Sequence, residues 1–145
     1  MDRVDPVDDR RRLIDANHAF YRALEDLDLA AMEAVWFHDA SVRCVHPGWD
    51  ALAGWEQVRY SFQQIFAGTR WIRVIPTAIE AIVIGDAGIV TCTENITATR
   101  DDDVGVAVAQ ATNIFRRTAA GWRMILHHAS PAPVSVTESF SGTVQ

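Results

Sequence analysis

The chain of 145 residues contains no lysine, so arginine supplies all thirteen of its basic side chains. Without lysine, the chain cannot form a Schiff base with a carbonyl substrate through a side chain of its own. Nineteen acidic residues bring the net charge to −6. Because nucleic-acid grooves require a basic surface, we expect no nucleic acid among the partners.

Cysteine is also scarce, and long apolar runs are absent. The only two cysteines, Cys44 and Cys92, lie in apolar, strand-like contexts that favour buried free thiols. There is no CxxC motif and no His/Cys cluster at zinc spacing, so we predict no metal site. No apolar run approaches the ~18 residues of a membrane helix, and the N-terminal residues do not resemble a signal peptide. We therefore expect a cytoplasmic protein without membrane contact.

Length and patterning predict one α+β domain over residues 1–131, followed by a flexible tail over 132–145. A chain of this length can bury roughly 68–70% of its unfolded surface, which is enough for a core without disulfides. Asp5-Pro6 predicts the start of a first helix, and Asp28 the cap of a short second one. Gly54 precedes a third helix, and apolar residues at helical spacing follow each start.

After Gly68 the apolar spacing changes from a helical period to strict alternation, which predicts strands. The tail has the composition of a mobile segment, with room for one edge strand at 134–136. Short turns imply antiparallel neighbours, and helices segregated on one face of such a sheet define the α+β class. The predicted strands are 41–45, 71–84, 89–99, 104–117 and 122–130.

Three local patterns resemble the nuclear transport factor 2-like superfamily, and in particular its SnoaL-like branch. The match spans about residues 8 to 131, nearly the whole domain. It implies a curved, mostly antiparallel sheet wrapped into a cone by three helices, a cystatin-like fold with a pocket inside. The patterns are Leu27-Asp28-Leu29 between the first two helices, Ala40-Ser41-Val42 through His46-Pro47-Gly48 with Gly54, and Thr112-Asn113-Ile114-Phe115 through Gly121-Trp122 to His128-Ala129-Ser130.

The resemblance specifies a fold better than it specifies a reaction. The superfamily includes isomerases, dehydratases, epoxide hydrolases, pocket binders and non-catalytic assembly domains. The third pattern is also similar to the association domain of calcium/calmodulin-dependent protein kinase II. Where that domain tends to place an arginine in its pocket, this chain has Asn113.

Steroid-isomerase-like members of the superfamily imply where proton transfer would occur. The resemblance places their catalytic tyrosine at Phe20, their base aspartate near His46 and their proton-donating aspartate at Asn113. Phe20 has no hydroxyl, but a histidine can abstract a proton near neutral pH. An asparagine amide can donate to a developing oxyanion. The resemblance thus implies related chemistry without the same three catalytic groups.

Glu94 is the anomalous residue of the predicted sheet. Alternation places it with Cys92 and Ile96 on an apolar strand face that should point inward. A buried carboxylate must be paired, or else protonated with a raised pKa. Glu94 is therefore a candidate acid or base. The alternatives are an internal ion pair with Arg43 or Arg73, or a face assignment wrong by one residue.

Two histidines are further candidates for proton transfer. His46 ends a strand before Pro47, where it is either a general base or a turn-capping surface residue. His128 is predicted to share an inward face with Trp122, as a ligand donor, an acid/base partner or a satisfied core residue. His127 should then point outward, to solvent or a subunit interface. Because strand neighbours diverge, the two adjacent histidines should not share a metal.

The remaining candidates are polar or aromatic side chains predicted to lie near the pocket. Asn113 lies on a buried strand face and needs a partner, either a ligand or the backbone. Tyr21 either supplies a hydroxyl beside the missing tyrosine or closes the edge of the core. The other predicted ligand contacts, whose aromatic members are mostly expected in the core, are Trp55, Phe62, Trp122 and Ser130.

Two hypotheses about function remain open. In the first, the protein is a cofactor-independent isomerase or dehydratase for a small hydrophobic or partly polar organic molecule. His46 is then the base, Asn113 the oxyanion donor, and His128 or Glu94 the second proton-transfer group. In the second, the protein is a non-catalytic ligand-binding or oligomerisation module. Superfamily members commonly pair through the outer sheet face, which implies a homodimer with Thr91, Thr93, Gln110 and Thr112 at its interface.

Overall fold

A computed structural model describes residues 5–133 as three helices packed on one face of a six-stranded sheet, the predicted α+β class. The predicted edge strand at 134–136 lies outside the described residues. Among residues 5–133, no helix is both long enough and apolar enough to cross a membrane. The elements are α1 (Pro6–Glu25), α2 (Leu29–Val35), β1 (Arg43–Val45), β2 (Leu52–Ala53), α3 (Trp55–Ala67), β3 (Trp71–Ile84), β4 (Ala87–Arg100), β5 (Asp103–Thr118) and β6 (Gly121–Ala132).

The predicted helix starts are confirmed by their capping groups. The Asp5 carboxylate accepts a hydrogen bond from the backbone N–H of Val7 at 3.0 Å, and the Asp28 carboxylate accepts one from Ala31 at 3.0 Å. Each such cap stabilises a helix by about 1 kcal/mol. Gly54, with φ 90, leads into α3 in a backbone conformation that favours glycine.

The strand order is β2-β1-β6-β5-β4-β3, and the four long strands form the antiparallel series that the short turns predicted. The two-residue β2 pairs with β1 and was not predicted. β1 runs parallel to β6, with Cys44 beside His127 and Val45 beside His128. This pairing brings the end of β1, and His46 immediately after it, next to the histidine pair of β6.

The core lies between the helices and the inward faces of the long strands, as the alternation predicted for β4 and β5. Ala109 and Ala111 of β5 are buried, and their small side chains leave room for the helices. Gly88 of β4 permits a closer approach. A Cβ atom at Gly88 would lie 2.6 Å from a methyl group of Leu13 on α1, so α1 packs directly on the backbone of β4 there.

A β-bulge interrupts the pairing between β5 and β6. Ile114 of β5 pairs with Leu126, whereas the next residue, Phe115, pairs with Met124. Ile125 is therefore an extra residue on β6 without a partner of its own. Since side chains alternate with a period of two, one extra residue moves every later side chain to the opposite face.

The bulge overturns our prediction for the second half of β6. Trp122 lies before the bulge and faces inward, but His127 and Ala129 share its inward direction and are buried. His128 and Ser130 face outward and are exposed. The predicted common face of Trp122, His128 and Ser130 is therefore wrong, and His127 takes the inward position that we had assigned to His128.

Candidate functional site

A cavity of about 330 Å³ lies between α1, α3 and the inward faces of β3, β4 and β6. Its volume is near the lower end of the range for small-molecule pockets, and a mostly apolar wall with a few polar groups is typical of them. The apolar lining residues are Phe20, Leu24, Pro47, Trp49, Phe62, Ile65, Ile72, Val74 and Ile96. The polar lining residues are His46, Gln64, Glu94, Arg100 and His127.

Glu94 supplies the carboxyl group of this cavity and is buried, as the alternation on β4 predicted. The Tyr21 hydroxyl donates a hydrogen bond to Glu94 Oε2 at 2.6 Å. In the described part of the chain, no arginine lies within ion-pair distance of Glu94, so the alternative of an internal pair with Arg43 or Arg73 is not realised. Burial raises the pKa of Glu94, and the hydrogen bond from Tyr21 offsets part of that rise.

Asn113 organises the hydrogen bonds behind Glu94. Its Nδ2 group donates to Asn17 Oδ1 at 2.8 Å and to Tyr21 Oη at 3.1 Å. Its Oδ1 atom accepts a hydrogen bond from His127 Nδ1 at 2.7 Å. Both N–H groups of the amide are therefore engaged inside the protein, and neither is left for an oxyanion. Asn113 is a positioning residue for Tyr21 and His127, not the oxyanion donor that we predicted.

The bond to Asn113 also fixes the tautomer of His127. Because the Asn113 amide nitrogen is already donating, its oxygen faces His127 and can only accept, so His127 Nδ1 carries the ring proton. The unprotonated Nε2 atom then lies 4.0 Å from Glu94 Oε2. Burial lowers the pKa of His127 to about 3, with smaller contributions from His46 and His128. The imidazole of His127 is consequently neutral at pH 7.

His46 has the opposite tautomer. The Ser61 hydroxyl donates to the carbonyl oxygen of Val58 at 2.7 Å, so it must accept from His46 Nε2 at 2.9 Å. The unprotonated nitrogen of His46 is therefore Nδ1. Burial lowers the pKa of His46 to about 4, and the ring is neutral at pH 7. Edge-on contacts with Trp49 and Phe62, at centroid distances of 4.7 and 4.9 Å, hold the ring in place.

The polar end of the cavity thus combines one carboxyl group with two neutral imidazoles, whose ring centroids lie 6.2 Å apart. Each imidazole carries one unprotonated nitrogen that can accept a hydrogen bond. A carboxyl group with a raised pKa can take up and release a proton closer to neutral pH than an ordinary glutamate. Together these groups can hold a polar substituent and move a proton beside it.

The two cysteines lie near this network but are not activated. Both thiols are free and buried, as predicted. Burial raises the pKa of Cys44 and of Cys92, so neither thiol is a ready nucleophile. Among residues 5–133, no group of three or more His, Cys, Asp or Glu side chains is arranged to hold a metal ion.

The structure brings together only some of the predicted site residues. His46, Glu94 and Phe62 line the cavity, and Tyr21 and Asn113 lie directly behind Glu94. His127 and Arg100 also line the cavity and were not predicted from the sequence. His127 could be identified only by locating the bulge at Ile125, and the sequence has no glycine there to mark it.

Four predicted residues do not reach the cavity. His128 and Ser130 lie on the opposite sheet face because of the bulge. Trp55 stacks on His38, with ring centroids 4.2 Å apart. Trp122 packs under the Arg117 guanidinium at 4.4 Å, near the other end of the sheet. Trp55 and Trp122 therefore serve packing and do not contact a ligand in the cavity. We had expected most of these aromatic residues in the core.

The chain belongs to the SnoaL-like domain family, whose sequence profile matches residues 13–135. A solved structure from Streptomyces avermitilis, a candidate dehydratase of the nuclear transport factor 2-like family, is 37% identical. The alignment covers 90% of this chain and 100% of that one, with a TM-score of 0.85. The predicted family and cone-like α+β fold are therefore confirmed.

Two further relatives differ in the roles their names suggest. A candidate association domain of calcium/calmodulin-dependent protein kinase type II from Thiobacillus denitrificans is 36% identical, covering 81% of this chain and 93% of that one, with a TM-score of 0.69. The F-box protein SKIP8 of Arabidopsis thaliana is 26% identical over 120 residues, or 83% of this chain. The match covers 49% of SKIP8, so this chain spans about half the length of that curated relative.

Proposed function

We propose that the protein is a cytoplasmic, cofactor-independent isomerase or dehydratase that acts on a small organic molecule by proton transfer at Glu94. One observation carries this proposal. Glu94 is a buried carboxyl group with a raised pKa, held by Tyr21 at 2.6 Å at the polar end of an apolar cavity. Perturbed carboxyl groups in such cavities mark functional sites more often than elsewhere.

The arrangement suggests a role for each polar group. Glu94, as a carboxylate, takes a proton from a carbon next to the substrate's carbonyl group. In an isomerisation the same proton returns to another carbon. In a dehydration the C–O bond at the next carbon breaks, and the departing hydroxyl takes up the proton that Glu94 removed and leaves as water, which restores the carboxylate. His46 and His127, both neutral, accept hydrogen bonds from a substrate hydroxyl and orient it.

The relationship with the candidate dehydratase of Streptomyces avermitilis supports this reaction class, because the two chains share 37% identity over nearly their whole length. The fold alone does not discriminate between the reactions of its superfamily. The proposal therefore depends on the groups in the cavity. Glu94 stays a proton-transfer group and takes the role of base that we had given to His46, which here accepts a hydrogen bond. His127 replaces His128, and Asn113 becomes a supporting residue.

Proton transfer can be measured without the natural substrate. The bicyclic ketone 2-tetralone has acidic protons beside its carbonyl group, and their exchange in D₂O is visible by NMR. We expect the protein to accelerate this exchange and Glu94→Gln to reduce the acceleration by roughly 100-fold or more, because positioned acid–base groups contribute about 10²–10⁴-fold. His128→Gln, on the outer sheet face, is the matched control and should exchange at the wild-type rate.

Either of two results would refute the catalytic proposal. One is wild-type exchange by Glu94→Gln. The other is saturable binding of 2-tetralone without any acceleration by the wild-type protein, which would favour a non-catalytic pocket. A loss of exchange in Glu94→Gln counts only if the variant unfolds at a urea concentration close to that of the wild type.

The second candidate function is a non-catalytic binding or oligomerisation module. The 36% identity with the candidate kinase association domain favours it. The outer sheet face also favours it, since Thr93 and Gln110 bond to each other there and Val106 is 63% exposed. We propose a homodimer through this face in either case, because an exposed sheet surface with apolar and hydroxyl side chains suits an interface.

The dimer can be tested without disturbing the cavity. Val106→Asp places a charge on the outer face, and we expect it to convert a dimer to a monomer in light scattering coupled to size exclusion, because burying an unpaired charge is costly. Glu56→Gln, on the exposed first turn of α3, is the control for a change of charge alone. A wild-type protein that is monomeric at high concentration would overturn the proposed interface.

A further inference from the structure

Arg100 lies at the opposite end of the cavity from the proton-transfer groups. It is the last residue of β4, and its even-numbered position puts it on the same inward row as Glu94 and Ile96. It is the only arginine in the lining of the cavity among the residues that the structure describes. The cavity therefore has a cation at one end and a carboxyl group at the other.

The Arg100 side chain is exposed, and its guanidinium has one protein hydrogen bond and no ionic partner. Its Nε atom donates to the carbonyl oxygen of Gly68 at 3.2 Å. Within residues 5–133, no carboxylate lies within ion-pair distance of it, and the ion pair of the adjacent turn is made by Arg70 with Asp102. A guanidinium with one donor anchored and others unengaged is suited to a planar anion such as a carboxylate.

Gly68 makes this position of the guanidinium possible. A Cβ atom at Gly68 would lie 2.9 Å from Arg100 Nη2, so any larger residue would displace the group. Gln64, one turn earlier on α3, also lines the cavity. A single guanidinium matches a single carboxylate better than a doubly charged phosphate.

The spacing of the two ends limits the shape of the ligand. Six residues separate Arg100 from Glu94 along β4, so their Cα atoms are ~20 Å apart at ~3.3 Å per residue. Both residues line the same cavity, so a ligand that contacts both of them must be elongated. Apolar residues, among them Phe62, Ile72 and Ile96, line the cavity between the two ends.

We propose that the cavity takes an elongated, mostly apolar carboxylic acid, whose carboxylate pairs with Arg100 and whose other end carries the hydroxyl or carbonyl group presented to Glu94. This inference rests on the proposed function for the identity of the reacting end, and it adds the class of substrate. Arg100 acts as a specificity residue in it. A neutral ligand of the same shape loses the charged contact and binds less tightly.

The test compares two probes that differ only in charge, 6-hydroxy-2-naphthoate and its carboxamide. We expect the wild type to bind the naphthoate more tightly, and Arg100→Gln to weaken naphthoate binding roughly tenfold or more while leaving carboxamide binding unchanged. Gly68→Ala should weaken naphthoate binding in the same direction. Arg73→Gln is the matched control, because it removes the same charge from an exposed position that is not part of the cavity lining.

Each outcome of this test decides the inference. Equal affinity for both probes, an unchanged naphthoate affinity in Arg100→Gln, or an equal loss in Arg73→Gln would overturn the role of Arg100. Absence of naphthoate binding to the wild type would overturn the substrate class. None of these results bears on the proton-transfer proposal. That proposal is tested by deuterium exchange into 2-tetralone, which is a neutral probe, and by its dependence on Glu94.

Discussion

Acidification from pH 7 to about pH 4 is expected to lower the free energy of unfolding by several kcal/mol, chiefly through His46 and His127. Burial holds their pKa values in the folded state at about 4 and about 3, below the ordinary value of 6.5. The folded state therefore binds fewer protons than the unfolded chain. The stability that the two neutral histidines contribute is complete above pH 6.5. It is lost as the pH falls from there through the folded pKa values. For His46 the full loss is roughly 3 kcal/mol.

Adjacent histidines in β6 provide a matched pair of variants for this experiment. His127→Gln removes a buried titrating group, so the difference in stability between pH 7 and pH 4 should shrink by roughly 2–3 kcal/mol. His128→Gln changes an exposed side chain and should alter that difference by less than about 0.5 kcal/mol. Urea unfolding at fixed protein concentration measures both values.

Glu94 changes the free energy of unfolding with pH in the opposite direction to the two histidines. Both histidine variants therefore keep Glu94, so that its contribution is the same in each. Its raised pKa favours the neutral carboxyl group in the fold. Its contribution is therefore present below its ordinary pKa of 4.5 and is lost as the pH rises through the folded value. Equal pH dependence in His127→Gln and His128→Gln would show that His127 is not the inward residue and that the bulge is misplaced.

Asn113→Leu is expected to cost about 3–5 kcal/mol of stability although leucine has nearly the same size and is apolar. The substitution leaves the ring N–H of His127 and the amide oxygen of Asn17 buried without their partner, and it removes one donor to Tyr21. Each buried polar group that loses its only partner costs roughly 1–3 kcal/mol. Thermal and urea unfolding measure the loss directly.

The neighbouring residue on β5 provides the control for Asn113→Leu. Thr112 points to the outer sheet face, and Thr112→Val should change stability by no more than about 0.5 kcal/mol. Asn113→Asp keeps an acceptor for His127 but cannot donate to Asn17 or Tyr21, so it should also destabilise the fold at neutral pH. If Asn113→Leu were as stable as the wild type, the hydrogen bonds that position Tyr21 and His127 would not contribute to folding.

Much of the fold follows from local patterns in the sequence. Asp5 and Asp28 cap their helices as predicted because a carboxylate satisfies free backbone N–H groups at a helix start. The alternation on β4 predicted the burial of Glu94 because successive side chains of a regular strand must point to opposite faces. The two-residue β2 was missed, since so short a segment has no periodicity to detect.

The candidate site was predicted less completely than the fold. His46 and Glu94 were identified because a polar residue at a strand end or on an apolar face needs an explanation. Asn113 was correctly placed as a buried polar residue in need of a partner, but its partners are Asn17, Tyr21 and His127. No local pattern predicts those contacts, because they join residues about 90 positions apart or strands whose register depends on the bulge.

The sequence by itself determined the order of the helices and long strands, the inward faces of the regular strands and the presence of a carboxyl group among apolar neighbours. Tertiary structure alone decided which histidine lies near that carboxyl group and that Arg100 lines the same cavity. The physical reason is the geometry of the sheet. Alternation is a local property of each strand, whereas the bulge at Ile125 arises only when β6 pairs with β5, and that one residue exchanges the directions of His127 and His128.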